Sequence, residues 1–343
     1  GEETLIDYER VYKEKDALLR IAFERFLKGT YSDNTLEARS FRAFIQEEGQ
    51  LLEEFSLYVM ERTIAKDERE GLYQKFLQWC MKDQINTIEG GVFFDLALGT
   101  REDGFDMRAF PGALVRGVSV GAPPDDFSPK GQDWGFPPLS PLHLEDTGYR
   151  YFIELLKRNI PQGGGVRIDH IAGLQRLFWI PEGKDPKDGL YVYYPLKKLL
   201  GLICLESKRK SAVIVGEDLG TVEPSLREEM NKRNIISFKV FYFEKYPDGG
   251  YKRPEEYPEK ALVTTTTHDL PTLWGFYGYE DIQDRLRIGR YPDMGFYDRD
   301  MHQRQKDIQA IRELLKAECM MYDFSDELTQ EEMVGIYNIV WKT

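Results

Sequence analysis

The chain has 343 residues, 41% hydrophobic and 31% charged, with a formal net charge of −13. That length suits one large domain or two smaller ones with a sizeable core. The negative balance argues against nucleic acid, whose phosphates need a basic footprint, and against an anionic membrane. It suits a neutral substrate, and no apolar run approaches a membrane span.

Taken in chain order, residues 5–28 read as a helix. Tyr8, Val11, Tyr12, Leu18, Leu19, Ala22, Phe23, Phe26 and Leu27 recur at spacings of about three and four. The chain opens on Gly1 straight into this charged helical stretch, without a signal-peptide pattern, which reads as a processed or partial chain. Residues 40–62 repeat the helical pattern with Phe41, Phe44, Ile45, Leu51, Leu52, Phe55 and Tyr58, and a third helix is expected over 70–86. Residues 1–86 therefore read as a helical subdomain, followed by a second region over 87–343. The texture changes at GGVFFDLALGT (90–100), which reads as a buried strand carrying Asp95. A long Gly/Pro-rich loop is expected over 99–141, and loops of that length inside a compact domain are usually functional. Helices at 147–160, 194–208 and 223–232 then alternate with strands at 165–169, 211–221, 236–244 and 261–272. Such alternation means parallel strands and an α/β fold.

Four strands end in ionisable residues. Asp95 follows GVFF; Arg167, Asp169 and His170 close GVRIDH; Glu217 and Asp218 follow AVIVG; His268 and Asp269 follow ALVTTTT. In a (β/α)8 barrel the active site is built from the C-terminal ends of several strands. One such acid would be explained by capping of the next helix, and Asp169 or Glu217 alone is open to that reading; four strands with the same arrangement are harder to assign to capping. Carboxylates with an Arg suit glycoside chemistry, where a retaining mechanism needs one carboxylate nucleophile and one carboxyl group serving as acid and then base. Arg167, two positions from Asp169 on the same strand face, would keep a nucleophile ionised. The acid must be buried or near negative charge to hold its proton, and a third carboxylate can hold sugar hydroxyls. The four histidines and three cysteines (Cys80, Cys204, Cys319) show no metal-like spacing. The cysteines read as reduced thiols of a cytoplasmic protein.

RIDHIAGLQRLFWIPEG, GEDLGT, THDLPT and GAPPDDFSPKGQDWG together resemble the 4-α-glucanotransferases, the amylomaltases or disproportionating enzymes of the α-amylase-like clan. The resemblance runs from about residue 6 nearly to the C-terminus. It implies a (β/α)8 TIM barrel with an attached helical subdomain. Carried over by position, it makes Asp169 the nucleophile, Glu217 the acid/base and Asp269 the transition-state stabiliser. It also makes Arg167 and His268 their supporting partners, Asp95 an acid beside the donor site, and Asp125 and Trp134 contacts of a glucan-binding loop. The implied partners are maltooligosaccharides or α-1,4-glucans. No cofactor or metal is implied.

The chain departs from the family pattern at both ends. Two strands that family members place before the helical region, and a last strand, have no candidates here, and INTIEGGVFFD is shorter than its counterpart. A barrel without those strands leaves sheet edges exposed, so either the chain is a fragment or further polypeptide completes it. Two other functions stay open on the same residues: an α-1,4-glucan hydrolase, and a non-catalytic glucan-binding fragment or subunit. Asp218 should point away from its neighbour Glu217 and reads as structural. His170 reads as a buried, hydrogen-bonded histidine and Trp179 as core. Tyr191, Tyr193 and Tyr194 could line a groove or pack a helix.

Overall fold

A computed structural model describes residues 6–63, 66–125, 128, 130–220 and 222–343. Helix α1 (Tyr8–Arg25) starts where the Asp7 carboxylate accepts the Arg10 N–H, and it passes into a π-helical turn at Phe26–Tyr31. Thr35 and Asp67 cap α2 (Leu36–Met60) and α3 (Glu68–Asn86) in the same way. These side-chain oxygens satisfy N–H groups that a first helical turn leaves without partners. Then come β1 (Phe93–Leu96), α4 (Phe105–Ala109), β2 (Val118–Ala122), β3 (Gln132–Asp133), α5 (Pro141–Asp146) and α6 (Arg150–Asn159). They are followed by β4 (Gly165–Ile168), β5 (Arg176–Pro181), β6 (Leu190–Tyr193), α7 (Leu196–Lys210), β7 (Val213–Gly216), α8 (Pro224–Lys232), β8 (Ile236–Val240) and β9 (Ala261–Thr264). The last elements are α9 (Leu273–Tyr277), α10 (Glu280–Arg287), α11 (Met294–Ala317) and α12 (Gln330–Trp341).

The chain divides into two compact units. One takes its residues from 1–93, 99–164 and 177–192, the other from 94–98, 165–176 and 193–343. In the first, α1–α3 close around Phe23, Phe26, Phe41, Phe44, Leu52, Tyr73 and Phe76. The rings meet edge-on or tilted, as for Phe26 and Phe41 at 5.5 Å and 83°, the geometry aromatic quadrupoles favour. The apolar stripe of α1 is helical as its period requires, but only Phe23 of that helix is buried, and Tyr8, Tyr12 and Leu18 face outward. Burial comes only at the end of the helix that meets the shared core. Helix α2 bends at Gly49, whose φ of 57° and ψ of −139° are open essentially to glycine alone.

The stretch 99–141 is not the plain loop its Gly/Pro content suggests. It contains α4, β2 and β3. Strand β2 pairs antiparallel with β3 and β5, and the sheet runs β3-β2-β5-β6. Strands β5 and β6 have no counterpart in the sequence reading, because RLFWIP follows IDHIAG with no turn signal between them. Trp179 lies on β5 and is half-buried, not core; Tyr191 and Tyr193 on β6 are exposed, while Tyr194 is buried.

In the second unit β1-β4-β7-β8-β9 form one sheet, with β4, β7, β8 and β9 paired in parallel. Val166, Ile214, Val215 and Val240 are buried, as near-continuous apolar strands in a parallel sheet should be. Strand β1 departs from its expectation. It lies at the sheet edge, and Phe93 is 49% exposed, because an edge strand lacks a neighbour on one side. The strands expected at 236–244 and 261–272 are shorter than read. Strand β8 turns into a 3-10 helix at Phe241–Phe243, and β9 ends at Thr264. Residues 273–343 form α9–α12 around Phe241, Leu273, Phe276, Ile311, Leu315 and Ile336. Among the described residues no helix is long and apolar enough to cross a membrane.

Candidate active site

The register of β4 on β7 sets Ile168 opposite Gly216. The next residue on each strand, Asp169 and Glu217, therefore leaves the sheet on neighbouring strands, whose spacing in any sheet is about 4.8 Å. The Glu217 N–H donates to the Ile168 carbonyl (2.9 Å) and the Ile171 N–H to the Glu217 carbonyl (3.0 Å). Gly216 is needed at this point: a Cβ there would stand 2.4 Å from Ile171 Cδ1 and 2.8 Å from Met230 Cε.

Arg167, on β4, reaches Asp95 Oδ1 at 2.6 Å and Asp169 Oδ1 at 2.9 Å. Its guanidinium thus joins two carboxylates that come from β1 and from the end of β4. The Phe238 ring of β8 lies 5.2 Å from its Cζ. Burial by itself would lower the proton affinity of Arg167, but the Asp95 hydrogen bond and the charges of Asp169, Asp95 and Glu217 together raise it. The Asp169 N–H donates to the Leu96 carbonyl at 3.0 Å, which ties this corner to β1.

Glu217 is 9% exposed. Its Oε1 accepts from the Leu219 N–H at 2.6 Å and its Oε2 from the His170 N–H at 3.0 Å. Burial pushes this carboxyl above the ordinary carboxylate range. The two backbone donors and Arg167 oppose that shift, and the Asp169 charge adds to it. Burial also holds His170 below the ordinary imidazole range, against the Asp169 charge. His170 has φ of 43°, a left-handed conformation uncommon outside glycine, and it is this backbone turn that carries its N–H to Glu217.

The other expected residues lie on other elements. His268 Nε2 and Asp269 Oδ2 are 3.2 Å apart in a turn beyond the end of β9, with side chains 68% and 74% exposed. Strand β8 intervenes in the sheet between the strands that carry Glu217 and Asp269. So the four acid-bearing strands are not consecutive neighbours. Asp125 and Trp134 belong to the first unit. Asp125 Oδ1 accepts the Ser128 N–H, and the Trp134 indole N–H donates to Gln132 Oε1 at 3.0 Å and stacks against Phe136. Among the described residues no group of three or more His, Cys, Asp or Glu side chains is placed to hold a metal ion.

A family model described as 4-alpha-glucanotransferase matches residues 59–336. The chain belongs to the 4-alpha-glucanotransferase family. The resemblance read from its four motifs is borne out. The chain is 34% identical over 284 residues to a 4-alpha-glucanotransferase of Mycobacterium tuberculosis, covering 79% of this chain and 39% of that protein. It is 37% identical over 223 residues to one of Haemophilus influenzae, covering 62% and 32%. The crystal structure of amylomaltase from Corynebacterium glutamicum matches with a TM-score of 0.82 and 28% identity, over 96% of this chain and 50% of that one. Amylomaltase from Streptococcus agalactiae in complex with acarbose shares the fold, with a TM-score of 0.65 and 19% identity, over 84% and 66%. The chain thus spans well under half the length of these two curated relatives. The (β/α)8 barrel class implied by the resemblance is the fold of this 4-alpha-glucanotransferase family.

Sequence reasoning missed the backbone donors on Glu217 and the partners of Asp218. Asp218 is fully buried, and Arg227, Ser237 and Phe238 bind its carboxylate. A polar residue directly after a strand-end acid is the only signal that hints at them.

Proposed function

We propose that this chain carries the catalytic carboxylates of a 4-α-glucanotransferase that moves α-1,4-glucan segments between maltooligosaccharides by retaining double displacement. The observation that carries this reading is the Asp95–Arg167–Asp169 bridge beside a buried Glu217 with raised proton affinity. Two neighbouring carboxyl groups in unlike environments are what an ionised nucleophile and a protonated acid require. Family membership supports transfer over hydrolysis.

In the first half-reaction an Asp169 oxygen attacks the anomeric carbon. The glycosidic C–O bond breaks, and Glu217 gives its proton to the leaving oxygen. A glucosyl ester on Asp169 results. Esterification removes the Asp169 charge, which had raised the proton affinity of Glu217. Glu217 is then better suited to remain ionised and act as base. In the second half it takes the proton from the 4-hydroxyl of an acceptor glucan, whose oxygen displaces Asp169. Arg167 orients Asp169 through its ion pair and holds Asp95. Asp269, with its carboxylate open to solvent, takes sugar hydroxyls at the transition state, supported by His268. Asp125 and Trp134 bind glucan on their own unit. The three cysteines are free of disulfides, which supports a cytoplasmic setting.

The test is incubation of the purified chain with maltotriose and chromatography of the products. Glucose with a ladder of longer maltooligosaccharides is expected, and Asp169→Asn should abolish it. Glucose and maltose alone would assign hydrolysis instead. No product from a folded chain would overturn the reading.

A further inference from the structure

Asp218 is fully buried between the proposed acid/base and Leu219, yet the chemistry above does not use it. Its carboxylate is held from two elements. Ser237 Oγ, on β8, lies 2.6 and 2.7 Å from its two oxygens, and the Phe238 N–H donates to Oδ1 at 3.0 Å. From α8, Arg227 Nε donates to Oδ2 at 3.0 Å, and a terminal guanidinium nitrogen donates to the Asp218 carbonyl at 3.0 Å. Lys239 adds a cation 3.7 Å away. The main chain of Glu217 is tied the other way, to Ile168 and Ile171 after β4. The turn 217–219 is therefore stretched between two anchors. The residue after Asp218 supplies the N–H that contacts Glu217 Oε1 at 2.6 Å.

We propose that Asp218 is a positioning residue: by pinning the 217–219 turn to β8 and α8 it fixes the Leu219 N–H on Glu217 Oε1, and with it the rotamer of that carboxyl. The proposal rests on the acid/base reading of Glu217 for its kinetic part only. In Asp218→Asn an amide NH2 replaces one acceptor oxygen and faces donors, either the Arg227 Nε–H or the Phe238 N–H. The turn loosens and Glu217 loses a donor that favours its ionised form. The alkaline limb of the transfer rate then moves to higher pH. A displaced catalytic group costs about 100-fold in kcat, with KM near the wild-type value. A role confined to holding β7 on β8 would lower stability and active fraction without moving that limb.

The experiment compares the whole chain as wild type, Asp218→Asn, Ser237→Ala and Ser237→Thr. Fold is checked by circular dichroism. Glu217 is titrated by carbon-13 NMR of glutamate-labelled protein, with its signal assigned from Glu217→Gln, and exchange of the Leu219 amide is measured alongside. Expected in Asp218→Asn, and to a smaller degree in Ser237→Ala, are an upward shift of the Glu217 midpoint and faster Leu219 exchange. Ser237→Thr, which keeps the hydroxyl, should match wild type. If Asp218→Asn does not fold, Ser237→Ala decides. An unchanged Glu217 midpoint and Leu219 exchange in the folded variants overturn the proposal. Absence of maltotriose transfer by wild type would overturn the functional reading, while the NMR titration still decides the role of Asp218.

Discussion

Replacing Arg167 by Met tests whether one guanidinium organises the site. Met retains an unbranched apolar stem to pack beside Phe238 but removes both contacts to Asp95 and Asp169, at 2.6 and 2.9 Å. Unit charges at about 4 Å interact by about 4 kcal/mol at an effective dielectric of about 20. Here the carboxylates are 47% and 38% exposed, so solvent screens much of that. A charge-assisted hydrogen bond retains about 1.5–3 kcal/mol. Only the Asp169 contact bears on the proposed nucleophile, so kcat/KM for maltotriose should fall about 10- to 100-fold. The pH profile carries a second signature. Arg167 lowers the proton affinity of Glu217, so its loss raises that affinity, and the alkaline limb moves up. Arg167→Lys keeps the charge without the fork that spans two carboxylates, and its rate should fall between the two. Initial rates at low maltotriose across pH, with circular dichroism as the fold control, read both effects. An Arg167→Met enzyme with wild-type kcat/KM and an unmoved alkaline limb would refute the reasoning.

Glu217→Gln should lose turnover and also about 1–3 kcal/mol of stability, because its amide NH2 faces a backbone N–H of Leu219 or His170 where an oxygen accepted. Urea unfolding checks this, and an unchanged midpoint would mean that the two donors do not clamp Glu217. Burial keeps the His170 imidazole below its ordinary value of 6.5, so the unfolded chain takes up that proton first as pH falls. The associated stability is complete above about 6.5 and is lost as pH drops from there through the depressed folded value. His170→Asn carries no such proton and tolerates the left-handed backbone. The difference in urea midpoint between pH 7.5 and 5.5 should therefore shrink in this variant, and an equal difference would count against the buried neutral imidazole. Gly49→Ala reverses the usual helix gain: its φ of 57° penalises a Cβ by about 1–3 kcal/mol. The melting temperature should fall, and a rise would show that α2 runs straight through position 49.

Helices and strand-end acids were legible because they are local patterns. Phe41, Phe44, Ile45, Leu52 and Phe55 state a helical period within one segment, and the acids of GVRIDH and GEDLGT stand directly after their apolar runs. Alternation of strands and helices along the chain was enough for an α/β class. Other features needed residues far apart in the chain. Arg167 meets Asp95 across 72 positions, and the His170 N–H reaches Glu217 across 47. The edge position of β1 exposes Phe93, and nothing within GGVFFDLALGT separates an edge strand from a central one. Strand β5 exists because it pairs with β2, and β6 because it pairs with β5, and pairing leaves no signature inside either segment. The sequence by itself determined the helices of the first quarter and those that alternate with the strands, which apolar runs end in carboxyl groups, and the family they belong to, but not α4 or α9–α12. Only the tertiary structure decided that Glu217 is buried and clamped while Asp269 is exposed. Register and burial are set by contacts between segments, and those contacts tune the proton affinity of an acid whose identity the chain carries locally.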